Sequence, residues 1–125
     1  MGDRGNIVID GVWLYTHLGG FHIKIDLQKA LQRHLRWDDS AYLTRIIFDQ
    51  MKGNDFGETG FGISTKMCDN EHNILRVDCD NQTIDELKYD YTDKELDDMN
   101  VVNSWSFEEF VRAKFNENAE GDEDD

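Results

Sequence analysis

The stretch NIVIDGVWLYTHLGG, residues 6–20, decides how the fold begins. Two short apolar segments meet at Asp10-Gly11, and Asp-Gly between alternating apolar residues is a strong hairpin signal. On the second strand Val12, Leu14, Thr16 and Leu18 point one way, and Trp13, Tyr15 and His17 the other. Both faces carry bulk, which places this strand centrally in a sheet or beneath a helix. Gly19-Gly20 then breaks the strand and leaves His17 close to its end. There the histidine reads in two ways. It is a general base or ligand that the glycines expose to a substrate, or a half-buried residue whose ring hydrogen-bonds nearby backbone. No serine or cysteine stands beside it, so the structural role is the expectation and His17 the one weak catalytic candidate.

Working outward, FHIKIDLQKALQRHLRW places Leu27, Ala30, Leu31, His34 and Leu35 on one helical stripe. Its start is open, because Ile23 and Ile25 alternate as in a strand and Asp26 fits a later cap. WDDSAYLTRIIFDQMKG is a clearer helix. Asp38, Asp39 or Ser40 caps it, acids fill its first turn, Leu43, Ile46, Ile47 and Met51 form its apolar stripe, and Gly53 ends it. GNDFGETG reads as a polar, glycine-rich loop.

Three further segments, GFGISTK, NILRVDC and TIDELKY, read as the strands of an antiparallel meander, separated by turn-forming Asp and Asn. Thr92-x-x-Glu95 and Ser106-x-x-Glu109 both match the capping box, so a short helix and a last helix carrying Phe107, Phe110, Val111 and Phe115 are expected. The fold class is α+β: one domain over residues 1–116 with an N-terminal hairpin, two helices, a meander and a C-terminal helix packed on one sheet face. Residues 117–125, acidic and without bulky apolar side chains, read as a disordered tail.

The chain of 125 residues is long enough for one core and too short for two typical domains. No apolar segment approaches the roughly 20 residues that span a bilayer, and the N-terminus has no signal-peptide core. Gly2 suits myristoylation, but Asn6 stands where Ser or Thr is needed. A soluble cytoplasmic chain is expected, within the host cell if it is phage-encoded. Cys68 and Cys79 flank a strand with no CxxC and no nearby histidine pair, and read as ordinary thiols.

Charge is the strongest global signal. The net charge is −14, and it is uneven: residues 1–62 balance at −1 and residues 63–125 at −13. A phosphate backbone needs a cationic surface, so nucleic acid is a poor partner, and anionic membranes are disfavoured by the same sign. A basic protein surface is the natural complement. The alternative is acidity that serves solubility alone.

Local motifs add little chemistry. In DCDNQTIDE, Asp78, Asp80 and Gln82 match the opening ligands of an EF-hand, but Thr83 replaces the required glycine and Tyr89 the bidentate glutamate. The loop glycines make no phosphate cradle, since no GxxxxGK[ST] is present and Asp55 and Glu58 repel phosphate. His72 follows Cys68 by four positions, yet the surrounding acids raise a thiol pKa. His17, His22 and Asp26 have only permissive metal spacing, and His34 reads as a core or boundary residue. No cofactor and no metal are expected. What remains is an acidic surface, with Asp78, Asp80, Asp85, Glu86, Asp90, Asp93, Glu95, Asp97 and Asp98 as the residues for a partner.

Four segments, GDRGNI, VWLYTHLGG, RWDDSAYLTRIIF and ETGFGIST, together resemble a family of small proteins of bacteriophages, prophages and some bacteria. The similarity covers roughly residues 2–66, with Leu18 where the family pattern has tryptophan. The resemblance implies a phage or mobile-element setting and carries no established activity or functional residue with it. Small acidic phage proteins often occupy host proteins, including nucleic-acid-binding defence complexes, which is an association by class. The leading expectation is therefore a non-enzymatic protein that binds a basic host surface, as a nucleic-acid mimic or defence inhibitor. The rival is a small enzyme or ligand-binding domain centred on His17 and the glycine loops.

Overall fold

The computed structural model describes residues 3–17, 19–53, 60–67, 70–90 and 95–115. Strands β1 (Gly5–Ile9) and β2 (Val12–Thr16) form the opening hairpin. Asp10 and Gly11 turn it with φ of 50° and 78°. Positive φ at both central residues is the geometry that matches the twist of a tight hairpin. A 3-10 turn over Gly20–His22 leads into α1 (Ile23–Leu31), and α2 (Ser40–Lys52) follows. Then come β3 (Phe61–Ser64), β4 (Ile74–Asp78), β5 (Thr83–Leu87), a 3-10 turn over Leu96–Asp98, β6 (Val101–Ser106) and α3 (Phe107–Arg112).

The six strands form one mixed sheet in the order β3-β2-β1-β4-β5-β6. Every neighbouring pair is antiparallel except β1 and β4, which run parallel in the middle with Ile7 opposite Leu75. The α+β class stands, and so does a meander, but its members differ from those expected. It comprises β4, β5 and β6, while the strand at 61–64 crosses to the far edge and pairs with β2. Strand β6 was not foreseen, because Val101 and Val102 are exposed and its pattern lacks an inward apolar row.

Alternation along the strands sorts residues onto two faces. Ile7, Ile9, Leu14, Leu75, Val77 and Ile84 join the main core with the buried stripes of α1, α2 and α3. Val8, Ile74 and Leu87 form a smaller cluster on the opposite face, covered by Met99 and flanked by Trp13, Met67, Tyr89 and Leu96. Strand β1 is thus buried on both sides along its whole length, and β2 beside it buries Leu14 and Thr16 while Trp13 and Tyr15 stay half-buried on the other face.

The caps follow the sequence closely. Asp39 is the N-cap of α2 and accepts from the Tyr42 amide at 3.1 Å; Gly53 ends the helix at φ 53°, and Leu43, Ile46, Ile47 and Met51 are its buried residues. The two acids of the motif thus precede the helix, and its first turn holds none. Ser106 and Glu109 complete the capping box of α3 with bonds of 2.8 and 3.0 Å.

Helix α1 departs from expectation at both ends. It starts at Ile23, with Ile23 and Ile25 buried, so Asp26 lies within its first turn instead of capping it. It stops at Leu31, because the Trp37 indole N–H donates to the Leu31 carbonyl and the Trp37 ring packs edge-on against Phe107. His34 and Arg36 take positive φ in the reversal, and Leu35 is left 53 % exposed. His34 and Leu35 therefore leave the apolar stripe, and His34 is an exposed residue stacked on Trp37. Thr92, most of the GNDFGETG loop and the 117–125 tail lie outside the described residues.

Candidate acidic binding surface

The acids converge where β1 and the neighbouring β4 end. Asp10 sits in the first hairpin turn, Asp78 closes β4, Asp80 lies in the β4–β5 turn, and Asp85 projects from β5. Together with Arg76, Ser40 and Leu96 they line an open cleft of about 440 Å³. Asp85 shares its face with Arg76, which stands directly opposite in the ladder.

Local bonds hold each carboxylate in place. The Asn81 side chain and its backbone N–H donate to Asp78 at 2.9 and 3.1 Å. Those bonds keep the Asp78 carboxyl below the usual carboxylate range, and therefore charged near neutrality. Ser104 donates to Asp85 at 2.7 Å, and Ser40 donates to Asp10 at 2.9 Å. Among the described residues Arg76 is the single cation lining the cleft, and it is engaged by Asp85 at 2.8 Å and Asp97 at 3.4 Å. Asp97 is 94 % exposed, and Glu95, Asp98 and Asp80 are exposed beside it. Among the described residues the arrangement is a recess lined by carboxylates whose one cation is already paired.

The remaining sequence-selected acids fall elsewhere. Asp90 is exposed on the chain after β5, and Asp93 lies outside the described residues. Glu86 is 6 % exposed, on the helix-covered face, and its selection as a partner contact is corrected. Lys24 meets it at 3.0 Å, Asn103 donates to it at 2.8 Å and Asn73 at 3.0 Å. Burial raises its pKa, but these bonds and the Lys24 charge outweigh burial, so the carboxyl sits below its ordinary value.

His17 is half-buried at the junction of three segments. Its amide donates to the Gly60 carbonyl and its own carbonyl accepts from Asp3. The ring bonds the Tyr15 hydroxyl at 2.9 Å, a side chain where nearby backbone was expected. Among the described residues no carboxylate orients the ring and no nucleophile meets it. His22 pairs with Asp26 at 3.0 Å without His17, and no group of three metal-ligating side chains forms among the described residues. The segment around Asp78, Asp80 and Gln82 is a strand end and tight turn, with Gln82 at φ 53°. Cys79 is a free thiol pushed up to about 11, first by burial and then by the charges of Asp78 and Asp80. Cys68 lies outside the described residues.

Sequence reading missed a second polar group around Gly20. His72 pairs with Asp3, Arg4 with Glu71 at 3.3 Å, and Lys24 with Glu86. A Cβ on Gly20 would stand 2.5 Å from His72 Cδ2 and 2.8 Å from the Asp3 carbonyl oxygen, so glycine is required by contact there. The His22-x-x-x-Asp26 spacing was the one available signal, and it becomes readable only once helix α1 is known to start at Ile23.

No family model matches the chain, and neither a curated protein nor a solved structure matches it. No helix among the described residues is long and apolar enough to cross a membrane.

Proposed function

We propose that this chain is a non-enzymatic interaction protein of phage or mobile-element origin, acting in the cytoplasm of a host cell. It binds a basic surface of a host protein through the acidic cleft, in the manner of a nucleic-acid mimic that inhibits a nucleic-acid-binding defence complex. The observation that carries this reading is the convergence of Asp10, Asp78, Asp80 and Asp85 on one recess, with Asp97 meeting its Arg76 at 3.4 Å. An arginine or lysine of a partner entering the recess meets several carboxylates, and the −14 field of the whole chain steers its approach.

The test is paired capture from a bacterial lysate, with the native chain and an Asp80→Lys, Asp97→Lys, Asp98→Lys variant as baits. A partner held by the native bait alone and released by stepwise salt supports the proposal. A partner held equally by both baits, or one indifferent to salt, overturns it.

A further inference from the structure

At the other end of β4, on the helix-covered face, lies a second concavity of about 280 Å³. His22 and Lys24 reach it from the start of α1, His72 and Asn73 from the approach to β4, and Glu86 from β5. Phe21 and Phe115 contribute aromatic walls. Apolar walls with a few convergent polar groups are the usual makeup of a small-molecule site.

A count of bonds shows which polar atoms are left for a ligand. Both Glu86 oxygens are occupied, Oε1 by Lys24 and Asn103 and Oε2 by Asn73. Asn73 also accepts from the Tyr89 amide, and His72 is held by Asp3. His22 spends Nδ1 on Asp26 at 3.0 Å, and among the described residues its Nε2 has no hydrogen-bond partner. Among the described residues Lys24 has a single carboxylate partner, which leaves two of its three N–H donors open there, while its charge lies 5.8 Å from the Trp105 and Phe115 rings.

The open set is therefore donor-rich. The Lys24 ammonium offers two donors, and Nε2 of His22 becomes another when the imidazole is protonated. The charged and titratable groups facing His22 are Asp26 on its own helix, Lys24 beside it, and the His72–Asp3 pair and Glu86 across the cavity. Glu86 in the lining, with Asp26 and Asp3 behind His22 and His72, disfavours a dianion such as phosphate relative to a monoanion. The volume suits one ring or a short chain, since an apolar cavity of about 150 Å³ already accepts benzene.

We propose that this cavity binds a small planar monocarboxylate, its carboxylate held by Lys24 and protonated His22 and its apolar body against Phe21 and Phe115. The site is separate from the acidic cleft and does not depend on a partner binding there.

Benzoate is the probe and benzamide its uncharged counterpart, followed in ¹H–¹⁵N spectra of the full chain. Benzoate at about pH 5.5 shifts the amides of Ile23, Lys24 and Ile25 and saturates in the low millimolar range, roughly the affinity expected of a fragment of this size. Benzamide binds at least about tenfold more weakly, since it lacks the charge that strengthens a hydrogen bond to the ammonium. His22→Gln weakens benzoate about tenfold while leaving the fold, and Lys24→Met abolishes the preference for benzoate over benzamide. Because Lys24→Met also strips Glu86 of its ammonium partner, the benzamide comparison and His22→Gln decide the matter if that variant does not fold. No response at about 20 mM benzoate, equal binding of benzamide, or shifts centred elsewhere overturns the proposal.

Discussion

The Lys24 ammonium stands 3.0 Å from Glu86, a carboxylate with 6 % exposure in a strand otherwise packed by Ile84 and Leu87. The pair ties α1 to the sheet across the main core, and it uses a charge where a strand normally places an aliphatic residue. Removing Lys24 leaves the Glu86 charge buried, which costs about 3 kcal/mol, whereas removing Glu86 leaves a lysine that is 34 % exposed and costs less. Glu86→Gln and Lys24→Met are each expected to lower the urea midpoint at pH 7 accordingly. The pH dependence has a fixed sign. Because the folded pKa of Glu86 lies below its ordinary 4.5, its contribution is complete above that value and is lost as pH falls through the folded pKa. Urea midpoints measured from pH 6 down to about 3 fall less steeply for Glu86→Gln than for the native chain.

Two glycines make opposite demands. Gly20→Ala forces a methyl against the Asp3 carbonyl at 2.8 Å and the His72 ring, so about 2 kcal/mol or more is lost. Gly11 has nothing within 4 Å of a Cβ, and its requirement is only the positive φ of 78°, so Gly11→Ala costs about 1 kcal/mol. Thermal denaturation of the two variants checks the order.

Helix α3 is short, and its entry depends on one hydroxyl. Ser106→Ala deletes the bond to the Glu109 amide and is expected to cost about 1 kcal/mol. The same substitution loosens Phe107 and Phe110, which the helix buries. Faster exchange of the α3 amides, with α2 unaffected, is the local readout.

Cys79 is a poor nucleophile by position. With its thiol pushed up to about 11 by burial and neighbouring aspartates, it alkylates slowly. In a Cys68→Ser background, iodoacetamide at pH 8 reacts with it roughly tenfold more slowly than with an unperturbed thiol, or slower still. Unfolding in urea restores the ordinary rate.

Features legible in the sequence are those with a local cause. The Asp10-Gly11 turn, the Asp39 cap with its stripe from Leu43 to Met51, and the Ser106–Glu109 box each depend on residues within a few positions of one another. Features set by distant partners were not legible. Nothing near Phe61–Ser64 says that it pairs with β2, and nothing near Val101–Ser106 marks a strand, since its partner β5 and not its own pattern recruits it. Glu86 looked like a surface acid because its donors, Lys24, Asn73 and Asn103, come from three separate segments. The acidic cleft was half readable: composition gave the charge, but only the sheet order brought Asp10 of the first hairpin to Asp78 and Asp85 of the second.

The parallel contact between β1 and β4 also bears on how fast the chain reaches this structure. The hairpins β1–β2 and β4–β5 close on short turns and form from local contacts. Joining them at Ile7 and Leu75 requires an ordered meeting across the whole of β2, α1, α2 and β3. Loop-closure entropy is largest at that seam, which spans more of the chain than the β2–β3 pairing, so folding kinetics report on it above all. Substitutions at Ile7 or Leu75 are placed to slow refolding, whereas losses at the outer strands β3 and β6 fall on the unfolding rate.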